Sequence, residues 1–176
     1  MPLPVAHALL GASTVAALYP HPTQRRYSVA LLIGALFANA ADADFLLVFA
    51  AHSKSWHRGL THSIGFALFA CMLTAVALGK QRLREATAYG LAFSSHGILD
   101  YVTSKEGGGV ELLWPFSAER LVLGWWGLSE VPSKLPPSGI IKALAVEFAL
   151  FTPLLLIVLL LRKAGGRGVK SAEDAI

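Results

Sequence analysis

The chain divides into five apolar stretches separated by short polar or basic segments. The first, Leu3–Leu18, lies in a region without Lys, Arg, Asp or Glu from Met1 to Gln24. The second, Ser28–Ala51, carries Asn39, Asp42 and Asp44 in its later half. The third, Ser63–Gly79, falls in a run free of those residues from Gly59 onward. The fourth, Arg84–Tyr101, is less apolar and contains Ser94, Ser95, His96 and Asp100. The fifth, Ile140–Leu161, ends in LLLIVLLL. Such stretches predict membrane-spanning helices, which need about 20 residues; the first is short by that measure. With no basic n-region and no A-x-A site, it reads as a retained helix rather than a signal peptide.

Between the fourth and fifth stretches, Val102–Gly139 is rich in Gly and Pro but contains LLWPF and LVLGWWGL. Trp114, Trp125 and Trp126 suit headgroup depth, where an amphipathic ring has one apolar and one wet side. This loop is expected on the membrane surface or folded over a site. The predicted fold is an all-α integral membrane helix bundle of about five spans, with a Trp-rich interfacial loop between the fourth and fifth. Residues 1–162 form one transmembrane domain, and 163–176 a flexible cytoplasmic tail.

Composition agrees. Of 176 residues, 55% are hydrophobic and 15% charged, against roughly 25% charged in a soluble domain, and mean hydropathy is +0.57. That excludes disorder, collagen-like repeats and coiled coils, and argues against a soluble enzyme. The lone Cys71 allows no intrachain disulfide and no Cys-rich zinc site. The net charge of +4 is spread in short clusters between apolar runs, a pattern of membrane-flanking loops and not of a nucleic-acid stripe.

Counting Lys and Arg on the two sides of five spans gives nine (Arg25, Arg26, Lys80, Arg82, Arg84, Arg162, Lys163, Arg167, Lys170) against six (Lys54, Arg58, Lys105, Arg120, Lys134, Lys142). The six lie in longer loops, so the N-terminus is expected outside and the C-terminus in the cytoplasm. Chemistry then collects at the outer end: His7, Asp42, Asp44, His52, His57, His62, His96 and Asp100, with only His21 among the histidines on the inner side. The spans were placed from apolar runs and basic loops alone, so this convergence is independent of them.

His96 and Asp100 are four apart and share a helix face; the bland reading is a buried His satisfied by its neighbour. Asp42 and Asp44 are two apart, ~200° around a regular helix. They can face one point only if the helix unwinds or an ion bridges to a neighbour; one is then a ligand and the other orients a histidine. The alternative ends the helix near Asn39 and leaves both in a wet loop. Carboxylates at membrane depth cost about 2.5–3.5 kcal/mol each, and a multivalent cation offsets that. Arg58 has the planar fork for a phosphate or anionic headgroup, although a snorkelling role fits its position equally. Thr61 or Ser63 can cap the following helix. Glu147, inside the last stretch, can pair with Arg58, act as a general acid or base, or serve packing.

Together His7, Asp42, Asp44, His57, His62, His96 and Asp100 offer nitrogen and oxygen ligands for one or two divalent ions. Zinc is the first choice, with manganese or iron as alternatives. An ion with an open position would generate a nucleophile from water, and hydrolysis needs only that.

At these motifs the sequence resembles the YdjM-like membrane-bound, metal-dependent hydrolases, some of them regulated by LexA. The resemblance rests on VAHALLG, Ala41-Asp42-Ala43-Asp44, His57-Arg58-Gly59-Leu60-Thr61-His62-Ser63, Ser95-His96-Gly97-Ile98-Leu99-Asp100 and Leu112-Leu113-Trp114-Pro115, between Val5 and Phe116. Ala41 stands where the family pattern has Pro. Phe45 stands where it has His, which removes one possible ligand. The order of ligands also looks, more loosely, like zinc-dependent phospholipase C and related nucleases. The resemblance implies metal-dependent hydrolysis in a bacterial or archaeal cytoplasmic membrane. The expectation is an outward-facing site acting on an ester or phosphoester of a lipid or lipid-linked substrate, with membrane lipids as partners and no nucleic acid. Asp44 and Arg58 are the catalytic candidates. A proton or metal transporter, or a non-catalytic metal clip or sensor, are the rival readings; the substrate and the oligomeric state are open.

Overall fold

The computed structural model of the protein describes residues 2–20, 24–104, 108–125 and 137–173. The described chain is helical: α1 (Pro4–Leu18), α2 (Gln24–Asn39), a 3-10 turn (Ala40–Asp44), α3 (Phe45–Ala51), α4 (Ile64–Leu78), α5 (Leu83–Thr103) and α6 (Pro137–Glu173). Short 3-10 turns, Lys54–Trp56 and Leu60–His62, connect α3 to α4. All five apolar stretches are helical, and α6 continues as helix past the point where the sequence predicts a flexible tail.

Fewer of them meet the requirements of a crossing than expected. Two helices, Arg26–Ala51 and Ser138–Ala164, are long and apolar enough. A third counts if Lys54–His62 and Ile64–Leu78, bent by 55°, form one span. The shortfall has two causes. At 15 residues, α1 is ~22 Å long against a hydrocarbon core of ~30 Å, and α5 carries Arg84, Glu85, His96 and Asp100. Among the loop tryptophans, Trp114 and Trp125 are exposed; Trp126 lies outside the described residues, as do Lys105, Lys134 and His21.

The bundle keeps small residues inside and large apolar ones outside. Most buried hydrophobic residues are alanines, while Leu46, Phe49, Leu68, Val76, Leu160 and Leu161 are exposed. Close helix approach through small side chains is the packing of membrane bundles, where apolar surface gains nothing by leaving lipid. Helices α1 and α2 approach closely: a Cβ on Gly11 would stand 2.4 Å from the Cβ of Ala38. Helix α1 packs on α2, α5 and α6, and α4 on α5. The start of α4 is capped by Ser63, whose hydroxyl accepts from the Phe66 N–H.

Helix α6 completes both ends of α1. Glu147 is buried and accepts from the N–H groups of Leu3 and Ala6. Arg162 donates to the carbonyls of Ala16 and Tyr19. An anion at the N-terminus and a cation at the C-terminus oppose the helix dipole and satisfy groups with no partner inside the helix. The same contacts make α1 and α6 run in the same direction. Glu147 therefore faces α1 and not Arg58.

Candidate metal centre

The Ala40–Asp44 turn decides where the two aspartates go. Helix α2 stops at Asn39 and helix resumes at Phe45, so the tighter intervening turn brings Asp42 and Asp44 round to one side. Both then address the same ring, Asp42 Oδ1 lying 3.6 Å from His62 Nε2 and Asp44 Oδ2 3.3 Å from His62 Nδ1. The helix does end at Asn39, but neither aspartate is left in a wet loop: Asp44 is buried, and the Asp42 side chain is 18% exposed.

Asp44 is the organiser of the His57–His62 loop. Its carboxylate lies 3.0 Å from His57 Nδ1 and accepts from the Arg58 N–H (2.9 Å) and the Thr61 hydroxyl (3.2 Å), besides its contact with His62. Engaging Nδ1 of both histidines leaves Nε2 as the nitrogen each can offer. Carboxylate contacts of this kind fix tautomer and ring orientation at metal sites. Phe45, where the family pattern has His, stacks on His57 with ring centroids 4.2 Å apart. It restrains the ring that Asp44 holds.

From the opposite wall, His96 is fixed by its Nδ1, 2.5 Å from the Ala38 carbonyl. Its ring stacks on His7, centroids 3.7 Å apart, and Asp100 lies one turn further along α5. The approach of the His62 turn to α5 depends on Gly97, because a Cβ there would stand 2.0 Å from the His62 carbonyl oxygen. Gly97→Ala is expected to lower stability by about 1–3 kcal/mol, the cost of overpacking, read as a lower thermal midpoint in detergent.

The ligand atoms form a closed set. His96 Nε2 is 3.4 Å from Asp42 Oδ1, and His7 Nε2 is 3.5 Å from Asp100 Oδ1. His62 Nε2 is 3.6 Å from both Asp42 Oδ1 and Asp100 Oδ2. All of these atoms are buried and lack hydrogen-bond partners, although such groups are normally paired. The separations are long for hydrogen bonds. They match the ~3.4 Å between neighbouring ligands held ~2.1 Å from one tetrahedral ion. Two groups meet the ligand criterion, His7 with His96 and Asp100, and Asp42 with His57 and His62, each with ligand atoms within 4.8 Å of one another. The donor set of imidazoles and carboxylates suits zinc, manganese or iron.

Charge points the same way. Asp42, Asp44 and Asp100 are gathered in one cluster, and the Arg58 guanidinium pairs with Asp100, its Nε 3.4 Å from Oδ2. With the carboxylates ionised and the imidazoles neutral, net negative charge is left in a buried cluster, where uncompensated charge is costly. A divalent cation would offset it.

Every site residue named from the sequence is therefore drawn into one cluster, with His57 and Asp42 at its half-exposed side (each side chain 18% exposed) and His7, His62, His96 and Asp100 sealed inside. His52 stands outside it, exposed in the left-handed conformation at the end of α3. Sequence reasoning did not single out Thr61 as a partner of Asp44, nor Glu111 and Arg120. Glu111 donates its N–H to the Arg58 carbonyl, and Arg120 reaches the loop by side chain. No local pattern marks these contacts.

Among known proteins, the family described as YdjM inner membrane protein matches over residues 1–166. Inner membrane protein YbcI of Escherichia coli (strain K12) is 34% identical over 60% of this chain, and the match spans 64% of that relative's length. No solved structure matches the chain.

Proposed function

We propose that this chain, which belongs to the YdjM inner membrane protein family, is a membrane-bound hydrolase dependent on one divalent metal ion, zinc before manganese or iron. The observation that carries the proposal is the run of unpartnered, buried ligand atoms with neighbour separations of 3.4–3.6 Å, closed at 4.0 Å between His96 Nε2 and Asp100 Oδ2. His7, His62, His96, Asp42 and Asp100 would hold the ion, with His57 at the half-exposed side. A bound divalent ion supplies the acidity that makes water a nucleophile near neutral pH. Asp44 keeps His57 and His62 in the required tautomer and orientation. Arg58, buried and beside Asp100, would bind the anionic group of an ester or phosphoester. The buried walls exclude bulk water, which strengthens each of these interactions.

The substrate we infer is a lipid or lipid-linked ester or phosphoester, because the cluster belongs to a membrane bundle with an apolar exterior. Five alternating crossings are supported by the parallel run of α1 and α6, which an alternating chain achieves between its first and fifth spans. The exposed Trp114 and Trp125 fit an interfacial loop, and the excess of Lys and Arg supports an outer site with the C-terminus in the cytoplasm. Polar groups crowd one end of the bundle, which favours hydrolysis over transport through the membrane.

Purified protein loaded with zinc is expected to hydrolyse a member of a phospholipid and phosphoester panel. Activity should be lost on chelation and restored by the ion. Stoichiometric metal without hydrolysis of any member would identify the cluster as a structural clip instead.

A further inference from the structure

The loop that carries His57 is tied from outside by a hairpin-like segment joined, among the described residues, by the Val110–Leu121 bridge. Next to that bridge, Arg120 reaches back 63 residues. Its Nη1 donates to the His57 carbonyl (3.2 Å) and its Nη2 to the Ser55 carbonyl (2.5 Å). Glu111, on the other strand of the bridge, pairs with Arg120 at 3.1 Å and donates its N–H to the Arg58 carbonyl at 3.0 Å. Three carbonyls of the segment 55–58 are thus held by one neighbouring pair of residues.

This matters because of the backbone they hold. Arg58 has φ 60, a left-handed conformation that non-glycine residues rarely adopt and that surrounding structure must enforce. Asp44 holds the amide side of that residue and Glu111 the carbonyl side. Arg120 holds the carbonyl of the residue before. Released, the turn would relax toward ordinary φ and swing the His57 ring away from Asp44. A guanidinium suits the task, since its planar fork can address two carbonyls and a carboxylate at once, which an ammonium cannot.

We propose that Arg120 is a positioning residue that acts through His57, holding the left-handed turn in register for metal binding. The inference rests on the metal reading above. Its test is a cobalt(II) titration of the detergent-purified full chain, comparing wild type, Arg120→Ala, His57→Ala and the double variant. Arg120→Ala is expected to bind cobalt(II) about 10–100-fold more weakly, as loss of a ligand-orienting group does, with an altered visible spectrum. In the His57→Ala background, removing Arg120 should weaken binding no further. Unchanged affinity in Arg120→Ala, or the same fold-loss with and without His57, would overturn the proposal. Should Arg120→Ala not be recovered folded, Glu111→Gln makes the same comparison with a smaller expected loss, and no loss overturns it equally. Wild-type protein that binds no cobalt(II) would sink the metal reading itself, an outcome distinct from failure of the tie alone.

Discussion

His96→Ala protein, purified in detergent beside wild type, is expected to remain inserted and helical but to lose its metal. Wild type should hold about one equivalent of zinc, manganese or iron per chain, the number that balances three carboxylates against Arg58. The variant should lose more than about 100-fold in affinity, beyond what loss of a merely orienting group costs. Two contacts explain the size of the effect. His96 is held from behind by the Ala38 carbonyl and presents Nε2, without a partner, to Asp42. The substitution removes a ligand whose orientation the fold has already fixed, and it opens space beside His7, which loses its stacking partner. Elemental analysis per chain decides the matter, and stoichiometric metal retained in His96→Ala would remove His96 from the ligand set.

Asp44→Asn is expected to be the most damaging near-isosteric change in the protein. The carboxylate receives contacts from His57, Arg58, Thr61 and His62, and an amide offers one acceptor oxygen in place of two. With the amide oxygen on the Oδ2 side His57 loses its acceptor, and with the amide turned round the Arg58 N–H and the Thr61 hydroxyl lose theirs, at about 1–3 kcal/mol for each donor left unpaired. For a chain of this size even one such loss lowers the thermal midpoint by roughly 2 °C or more. Freed from Asp44, the two imidazoles can adopt the tautomer that turns N–H toward the ligand ring. Metal affinity should fall about 10–100-fold even though the variant retains every group that faces the ion. A titration showing wild-type affinity in Asp44→Asn would mean that the histidines are oriented by something else.

The helical segments could be read from the apolar runs because hydrophobic length is a property of the sequence alone. Span number could not, since it depends on how far α5, with His96 and Asp100 on it, is tolerated in the membrane by what those groups bind. The gathering of His7, Asp42, His62, His96 and Asp100 at one end was legible from span polarity and from the i, i+4 spacing on α5. Which of Asp42 and Asp44 would hold the histidine loop was not, although one of the two was expected to orient a histidine. Ala40-Ala41-Asp42-Ala43-Asp44 contains no Gly or Pro to break a helix, and four contacts to Asp44 from beyond the turn accompany the break. Glu147 shows the same limit: the sequence allowed pairing with Arg58, acid–base chemistry or packing, yet its partners are N–H groups 144 and 141 residues away. Arg120 is one basic residue among several in a Gly- and Pro-rich loop until the backbone brings it to His57.

The completion of α1 by α6 bears on how the protein is made. The ends of α1 wait for groups made much later, Glu147 and Arg162. At 5–20 residues per second, 144 residues correspond to about 7–30 s of synthesis. His7 stands one residue beyond the Ala6 N–H whose proton Glu147 accepts, so the turn bearing it, although α1 also packs on α2 and α5, receives that contact only after α6 has been translated. The end of α1 nearest the cluster therefore gains its last side-chain contact late in synthesis, after every residue of the cluster has been made.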